Sequence, residues 1–422
     1  MSSDIKSIKI PVDHLVVGLF VDLELGWTEH PFTFSKFKIT NEKEIKIIKS
    51  LGLSEVRVIA TKSDVPLPLD KPKEMIPEAT DEDVEAISQQ WDEKNDYLLQ
   101  AIELREKRRE LTKEYKQKEK MIHDFGKDMK SKPANAIHQV DDIVDDLVAG
   151  IINNDDLLTN LVSLGHSEYS ESNHTANVSM LSLMIGAAEN LSLSDMNILA
   201  SGALLHDIGM ITIPANIKMK KNPLSVAEQK IYQQHPTAGR KLIEMVKKLD
   251  SRVLSIIEQH HEYLDGSGYP YGIKEGGISK LVRIVTIADL YDRLCNPVDI
   301  TKALTPKVAL ATLYKKFETQ LDRQLIQKFV ATLGIYPPGT VVKLSDGNIG
   351  LVISVEKNYM QKPDVIVYDS TTAKEDATII RLKQHDDISI ENAMSAGTYP
   401  HEIHDYFKLS ERIGYMIKSQ DL

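Results

Sequence analysis

The sequence predicts a multidomain chain in which a helical, metal-binding core is flanked by a small α+β domain at the N-terminus and a small β-appendage toward the C-terminus. Three observations carry this reading. Before residue 65 the apolar runs are short, β-branched and separated by turn residues. Between 141 and 335 they lengthen into helical runs that end in histidine or aspartate, and beyond 336 they alternate again.

Composition sets the frame. A chain of 422 residues, 42% hydrophobic and 27% charged, has room for two or three soluble domains with cores of their own. A net charge of −11 argues against broad electrostatic binding of a nucleic-acid polymer, so an anionic ligand must be drawn in by metals or by a local basic patch. The single cysteine, Cys295, excludes a disulfide framework and fits a reducing cytoplasm. With no signal-peptide pattern and no apolar run near the ~18 residues a membrane span needs, a cytoplasmic, membrane-free protein is expected.

In the N-terminal domain, residues 1–65, Ile8–Val12, Leu15–Val21 and Val56–Ile59 read as strands and Glu42–Gly52 as one short helix. Trp27 and Phe32 suit either a ligand patch or the core of a small domain, and core is the expected role. Residues 66–140 form a connector. Pro66–Pro77 is proline-rich and extended, and Thr80-Asp-Glu-Asp83 is a helix N-terminus. Thirteen of the eighteen residues from Glu103 to Lys120 are charged. Leu98, Ile102, Tyr115 and Ile122 make too thin a stripe for a coiled coil, so a solvated helix is expected, with a homodimer through the 80–130 helix as the functional alternative. Asp141–Asn160 is acidic and amphipathic and reads as the first helix of the core, which runs over 141–335. In the last segment, 336–422, Val341–Leu344, Gly350–Ser354 and Val365–Tyr368 alternate as strands around an Asp346-Gly347 turn, and the final twenty residues read as a short helix.

The core carries the chemistry. Five of the thirteen histidines, with two aspartates, fall between 174 and 289: His174, His206-Asp207, His235, His260-His261 and Asp289. Imidazole nitrogen with carboxylate oxygen and no thiolate suits iron, manganese or catalytic zinc. Seven such groups exceed the needs of one ion, and two ions sharing a carboxylate are a common device for hydroxide attack on a phosphate ester. His206-Asp207 closes the apolar run Leu199–Leu205, His260-His261 follows Val253–Ile257, and Asp289 and Asp292 lie i, i+3 on an otherwise apolar helix, so polar groups arrive together at buried helix ends. Taken singly, His235 is more often a cap or a hydrogen-bonded core residue, Asp292 an acceptor orienting an imidazole, and His166 and Glu168 loop residues. The ordered set is what points to metal.

His206-Asp207, His260-His261-Glu262 and Asp265-Gly266-Ser267-Gly268-Tyr269-Pro270 resemble the motifs of the HD-GYP domain, a bacterial subgroup of the HD metal-dependent phosphohydrolases, from about residue 155 to 335. Gly26-Trp27 and His30-Pro31-Phe32 resemble the domain of unknown function that often precedes it. The resemblance implies an all-α HD-type catalytic domain that opens cyclic di-GMP, or a related cyclic dinucleotide, to linear dinucleotide or mononucleotides in second-messenger signalling. It implies His174, His206, Asp207, His235, His260, His261 and Asp289 as ligands of divalent ions, most naturally iron, with Asp207 bridging and His206 and Asp207 central to catalysis. Gly268, Tyr269 and Pro270 are expected beside the substrate and as a docking turn for signalling proteins.

The chain also departs from that pattern. Met210 stands where the family carries a phosphate-contacting lysine. Ser170 stands where trinuclear members carry a glutamate, and Glu171 is one residue off, so two ions rather than three are expected. Val298 and Thr301 stand where the family places two phosphate-clamping cations, and Arg293 and Lys302 beside that gap are expected to point elsewhere. Lys218 and Lys220 are the candidate substitutes. The alternative reading is therefore a catalytically weak or inactive member acting as a cyclic-dinucleotide sensor or scaffold.

Overall fold

A computed structural model of the chain describes residues 7–25, 29–32, 35–68, 81–149, 157–163, 168–370, 372, 374, 377–385, 388–394, 398–409 and 413–419. It divides into two compact units, 1–106 and 107–422. Trp27, His166 and most of the proline-rich stretch lie outside the described residues. None of the described helices is long and apolar enough to cross a membrane.

The first unit contains an antiparallel sheet in the order β1-β4-β2-β3, from β1 (Ser7–Pro11), β2 (Phe20–Asp22), β3 (Lys36–Lys38) and β4 (Glu55–Ile59), with helix α1 (Glu42–Ser50). Asn41 caps α1 by accepting from the Glu44 amide, and Ile45 and Ile48, one turn apart, meet Val21, Val56 and Val58 in the core. The Leu15–Val21 run is strand only at its end, because Val12–His14 winds into a 3-10 turn first. Phe32 packs against this core with its ring 4.4 Å from that of Phe37, the core role expected of it.

Helix α2 (Asp81–Ser131) begins where the Thr80-Asp-Glu-Asp83 signal places it. Its second half is not solvated. In the second unit Leu111, Tyr115, Ile122, Phe125 and Met129 are buried at helical spacing in the main core. The stripe is thin in sequence because each apolar residue stands among charges that cover the remaining faces. One face of this half is therefore packed within the second unit. The Tyr115 hydroxyl donates to Asn177 Oδ1 at 2.8 Å in a buried setting. Tyr115→Phe is expected to cost about 1 kcal/mol in urea unfolding, since it removes the shorter hydrogen bond to a buried acceptor, which keeps only the Tyr415 amide at 3.4 Å, without leaving a large cavity.

Short helices α3 (Pro133–Ala136) and α4 (Gln139–Ala149) follow, and then the bundle that forms the site: α5 (Glu171–Ala188), α6 (Leu193–Leu205), α7 (Ala215–Lys218), α8 (Val226–Tyr232), α9 (His235–Val246), α10 (Ser251–Gln259) and α11 (Lys280–Cys295). Helices α12 (Pro306–Lys316) and α13 (Arg323–Leu333) close it. Serine or aspartate caps set the starts of most of these: Ser170, Ser192, Ser225, Asp250, Ser279 and Asp322 each accept from a first-turn amide. Helices α5 and α11 are buried on nearly every face and pack against each other at the centre.

The remaining elements form an antiparallel seven-stranded sheet: β5 (Leu157–Ser163), β6 (Val341–Leu344), β7 (Ile349–Glu356), β8 (Asp364–Val367), β9 (Ile379–Arg381), β10 (Ile390–Ala393) and, after α14 (His401–Phe407), β11 (Ile413–Ser419). Asp141–Asn160 is not one helix, because α4 ends at Ala149 and β5 has begun by Leu157. The chain does not close on a helix either, because β11 pairs with β5 from Ile413 opposite Ser163 to Ser419 opposite Leu157. Each strand is defined by a partner some 250 residues away, and local periodicity does not carry that pairing.

Candidate metal centre

The seven groups expected as ligands come together in the second unit, each from a helix end or a central helix. His174 lies in the first turn of α5, His206 caps the C-terminus of α6 with Asp207 next to it, and His235 opens α9. His260 caps α10 with His261 following, and Asp289 lies on α11. They form two sets, Asp207, His235, His260 and His261 in one and His174, His206, Asp207 and Asp289 in the other, the atoms of each within 4.8 Å of one another. Asp207 belongs to both.

Their hydrogen bonds aim the donor atoms. The Nδ1 atoms of His206, His235 and His260 each face a backbone carbonyl three residues earlier, Ala203 at 2.7 Å, Tyr232 at 2.8 Å and Ile257 at 2.9 Å. A carbonyl only accepts, so these networks assign the proton to Nδ1 and leave Nε2 as a lone pair. The Nε2 atoms of His235 and His260 then face each other at 3.3 Å, with Asp207 Oδ1 3.2 and 3.6 Å away. Asp207 Oδ1 and His261 Nε2 are buried without any hydrogen-bond partner among the described residues. Acceptor atoms buried and turned on one another are costly unless a cation lies between them, so the donor set fits a divalent ion.

In the second set, His174 Nε2 is 3.0 Å from Asp289 Oδ1 and 3.4 Å from His206 Nε2, while His174 Nδ1 meets Asp292 Oδ2 at 2.7 Å. Burial and Arg293 oppose a charge on His174, but Asp289 and Asp292 outweigh them and raise its pKa to about 9. Burial likewise opposes ionisation of Asp207 and Asp289, yet His206 and Arg293 at the first and Arg293 and His174 at the second hold both carboxyls well below the usual range. Burial, reinforced by His260, pushes His261 well below the ordinary histidine value, so it is neutral and able to ligate.

Arg293 is the main surprise. Expected to point away, it lies one turn beyond Asp289 on α11 and reaches into the site, with Nε 2.7 Å from Asp289 Oδ1, Nη2 2.8 Å from Asp207 Oδ2 and Nη1 3.1 Å from the Tyr232 hydroxyl. The i, i+4 spacing from Asp289 was the available signal. Asp292 orients His174, as its alternative reading held, and is itself held by Asn177 and Asn296, both 2.8 Å from Oδ1. The same two asparagines donate to the Ile413 carbonyl at 3.0 Å, so strand β11 docks on the support of His174.

Gly268, Tyr269 and Pro270 sit directly on His261. A Cβ at Gly268 would come within 2.4 Å of the His261 carbonyl, Tyr269 stacks on the His261 ring at 4.6 Å, and the Tyr269-Pro270 bond is cis. Glu262 holds the turn, accepting from the amides of Tyr271 at 2.7 Å and Ile273 at 3.0 Å. A role for Glu262 was not drawn from the sequence, although its place beside the histidine pair marked it.

A cavity of about 600 Å³ opens at Asp207 and is lined in part by Met210 and Lys218. Lys218 pairs with Glu171 at 2.6 Å. Lys220 does not line this cavity and pairs instead with Glu228 at 2.6 Å. Thr301 is tied to Asp299 at 2.8 Å, and Lys302 bonds the Lys221 carbonyl at 2.9 Å.

A helical bundle with a His-Asp pair at a helix C-terminus, joined by further histidines and an aspartate, is the arrangement of an HD domain. The chain carries an HD domain: residues 156–325 match the HD domain model, and residues 7–140 match a domain of unknown function, DUF3391. It is 27% identical over 370 residues to a cyclic di-GMP phosphodiesterase of Pseudomonas aeruginosa, covering 87% of this chain and 86% of that one. A cyclic di-GMP phosphodiesterase response regulator of Xanthomonas campestris is 35% identical over 151 residues, 35% of this chain and 40% of its own. A 3'3'-cGAMP-specific phosphodiesterase of Vibrio cholerae is 29% identical over 164 residues, 39% of this chain and 35% of its own. Among solved structures, an HDG"Y"P protein of Bdellovibrio bacteriovorus aligns with a TM-score of 0.44 at 17% identity, covering 77% of this chain and 98% of that one.

Proposed function

We propose that this chain is a metal-dependent phosphodiesterase that opens a cyclic dinucleotide, cyclic di-GMP or a close relative, to linear dinucleotide or mononucleotides. The observation that carries this is the pair of ligand sets sharing Asp207 beside an open cavity. The phosphodiesterase activities named for its relatives support the reading, for cyclic di-GMP and for cGAMP alike.

Two divalent ions held by the seven residues, of iron, manganese or zinc by the donor chemistry, would polarise a phosphoryl oxygen and make water a nucleophile near neutral pH. The chain's own groups do the rest. The backbone-tethered imidazoles keep their lone pairs on the cluster, Asp292 fixes the ring of His174, and Arg293 holds the carboxylates of Asp207 and Asp289 in register. Tyr269 covers His261 and limits water on that side. Docking of a signalling protein at the Gly-Tyr-Pro turn belongs to the same reading, with Tyr271 exposed beside it.

Incubating iron-loaded protein with cyclic di-GMP, 3'3'-cGAMP and cyclic di-AMP, and resolving products by chromatography, tests the reading. Linear dinucleotide or mononucleotide from at least one is expected. No product from any of them, with the metal present, would sink it. The sensor reading is favoured by one feature, the apolar packing of Met210 with Ile213 and Ile217 where a cation would serve catalysis. If that gap limits the rate, Met210→Lys should raise single-turnover hydrolysis roughly tenfold by placing a charge at the phosphate. An unchanged or lower rate would mean that Met210 is built into the pocket.

A further inference from the structure

The cavity beside Asp207 has a wall that metal binding does not explain. It is formed by helix α2 from Ile122 to Lys130, in a cavity that Met210 and Lys218 also line. His123, Lys127 and Lys130 recur there at i, i+4 and i+7, which puts them on one face, and all three are exposed. Neither Lys127 nor Lys130 enters an ion pair among the described residues, whereas Lys218, which lines the same cavity, is already held by Glu171. Two unpaired ammonium groups beside a carboxylate-rich centre, in a chain of net charge −11, form a local basic patch of the kind an anionic ligand needs here.

The rest of the wall suits a ligand that is part anion and part ring. Ile122 and Phe125, buried at 4% and 2% exposure, give it an apolar floor together with Leu204 and Ile211. Gly126, the one glycine in the 51 residues of α2, follows Phe125 and stands one turn beyond Ile122 in the lining of the same cavity. A glycine in a helix interior weakens the helix, and no local geometry calls for it: a Cβ there would meet nothing within 4 Å. What its missing side chain leaves is space in the cavity.

We propose that α2 supplies the distal phosphate subsite of this cavity. Lys127 and Lys130 hold the phosphate of a cyclic dinucleotide that lies away from the metal cluster, and one base rests on Ile122 and Phe125 over the gap at Gly126. The inference rests on the phosphodiesterase reading and deepens it. The cations missing at Val298 and Thr301 are replaced from a different element, upstream of the catalytic bundle.

The test is calorimetric titration of the metal-loaded full-length chain with a hydrolysis-resistant phosphorothioate analogue of cyclic di-GMP, across a salt series. Relative to wild type, the double variant Lys127→Ala/Lys130→Ala should raise Kd roughly tenfold or more and flatten its salt dependence, with metal content and melting temperature retained. Gly126→Leu, which leaves both charges in place, should also weaken binding by filling the gap. An unchanged Kd and salt slope in the double variant would overturn this subsite and leave the phosphodiesterase reading standing. Failure of wild type to bind any of the corresponding analogues of cyclic di-GMP, 3'3'-cGAMP and cyclic di-AMP would overturn both.

Discussion

Asp207→Ala is expected to remove most of the bound metal: where elemental analysis of the wild type finds about two ions per chain, the variant should retain well under half of that. The reason lies in the sharing. Asp207 is the one residue common to both ligand sets, so its loss takes a donor from each and leaves two groups of imidazoles facing one another with less negative charge between them. The loss should exceed that from His174→Ala, which touches one set only. Arg293 adds to the effect, because without Asp207 its guanidinium keeps only Asp289 as a carboxylate partner and places an unbalanced positive charge where cations must bind. Full metal occupancy in Asp207→Ala would refute the shared-carboxylate arrangement.

Gly209→Ala should produce the largest loss of stability from any single methyl group. The 3-10 turn after Asp207 passes so close to the start of α9 that a Cβ at 209 would lie 1.9 Å from the His235 carbonyl and 2.6 Å from the Gly239 amide. Both are backbone atoms, which cannot rotate away, so one element must move. Overpacking of this kind costs about 3 kcal/mol or more, a fall in melting temperature of roughly 4–5 °C or more for a unit of this size. The displaced element carries His235, so metal content should fall with it. A wild-type melting curve and full metal content together would show that the turn is looser than its packing implies. The same contact explains why the residue after His-Asp-Ile is glycine, for reasons of packing that precede any chemistry.

Much of the candidate site was legible because metal ligands are constrained in type as well as in place. His206-Asp207 and His260-His261 stand at the ends of apolar runs, and few buried polar pairs arise there without a partner. The departures were legible too, since Met210 or Val298 is visible as soon as a cation is expected. Arg293 was not, because whether a long side chain curls toward Asp289 or into solvent depends on what surrounds it. Glu262 was named in a motif without its task, since holding a turn through two amides is seen only when the turn is folded.

The amino-acid pattern by itself determined the helical core, the small sheet domain before it, the strands beyond residue 341 and the seven groups that can hold metal. These follow from periodicity, caps and residue chemistry, which act over a few residues. Only the tertiary structure decided that the charged half of α2 is core and one wall of the cavity, and that β5 and β11 find each other across 250 residues. It also decided that the last strand braces the asparagines supporting His174. A thin apolar stripe or a short strand is too weak a signal to choose its own partner, and burial against distant elements supplies the free energy that makes the choice.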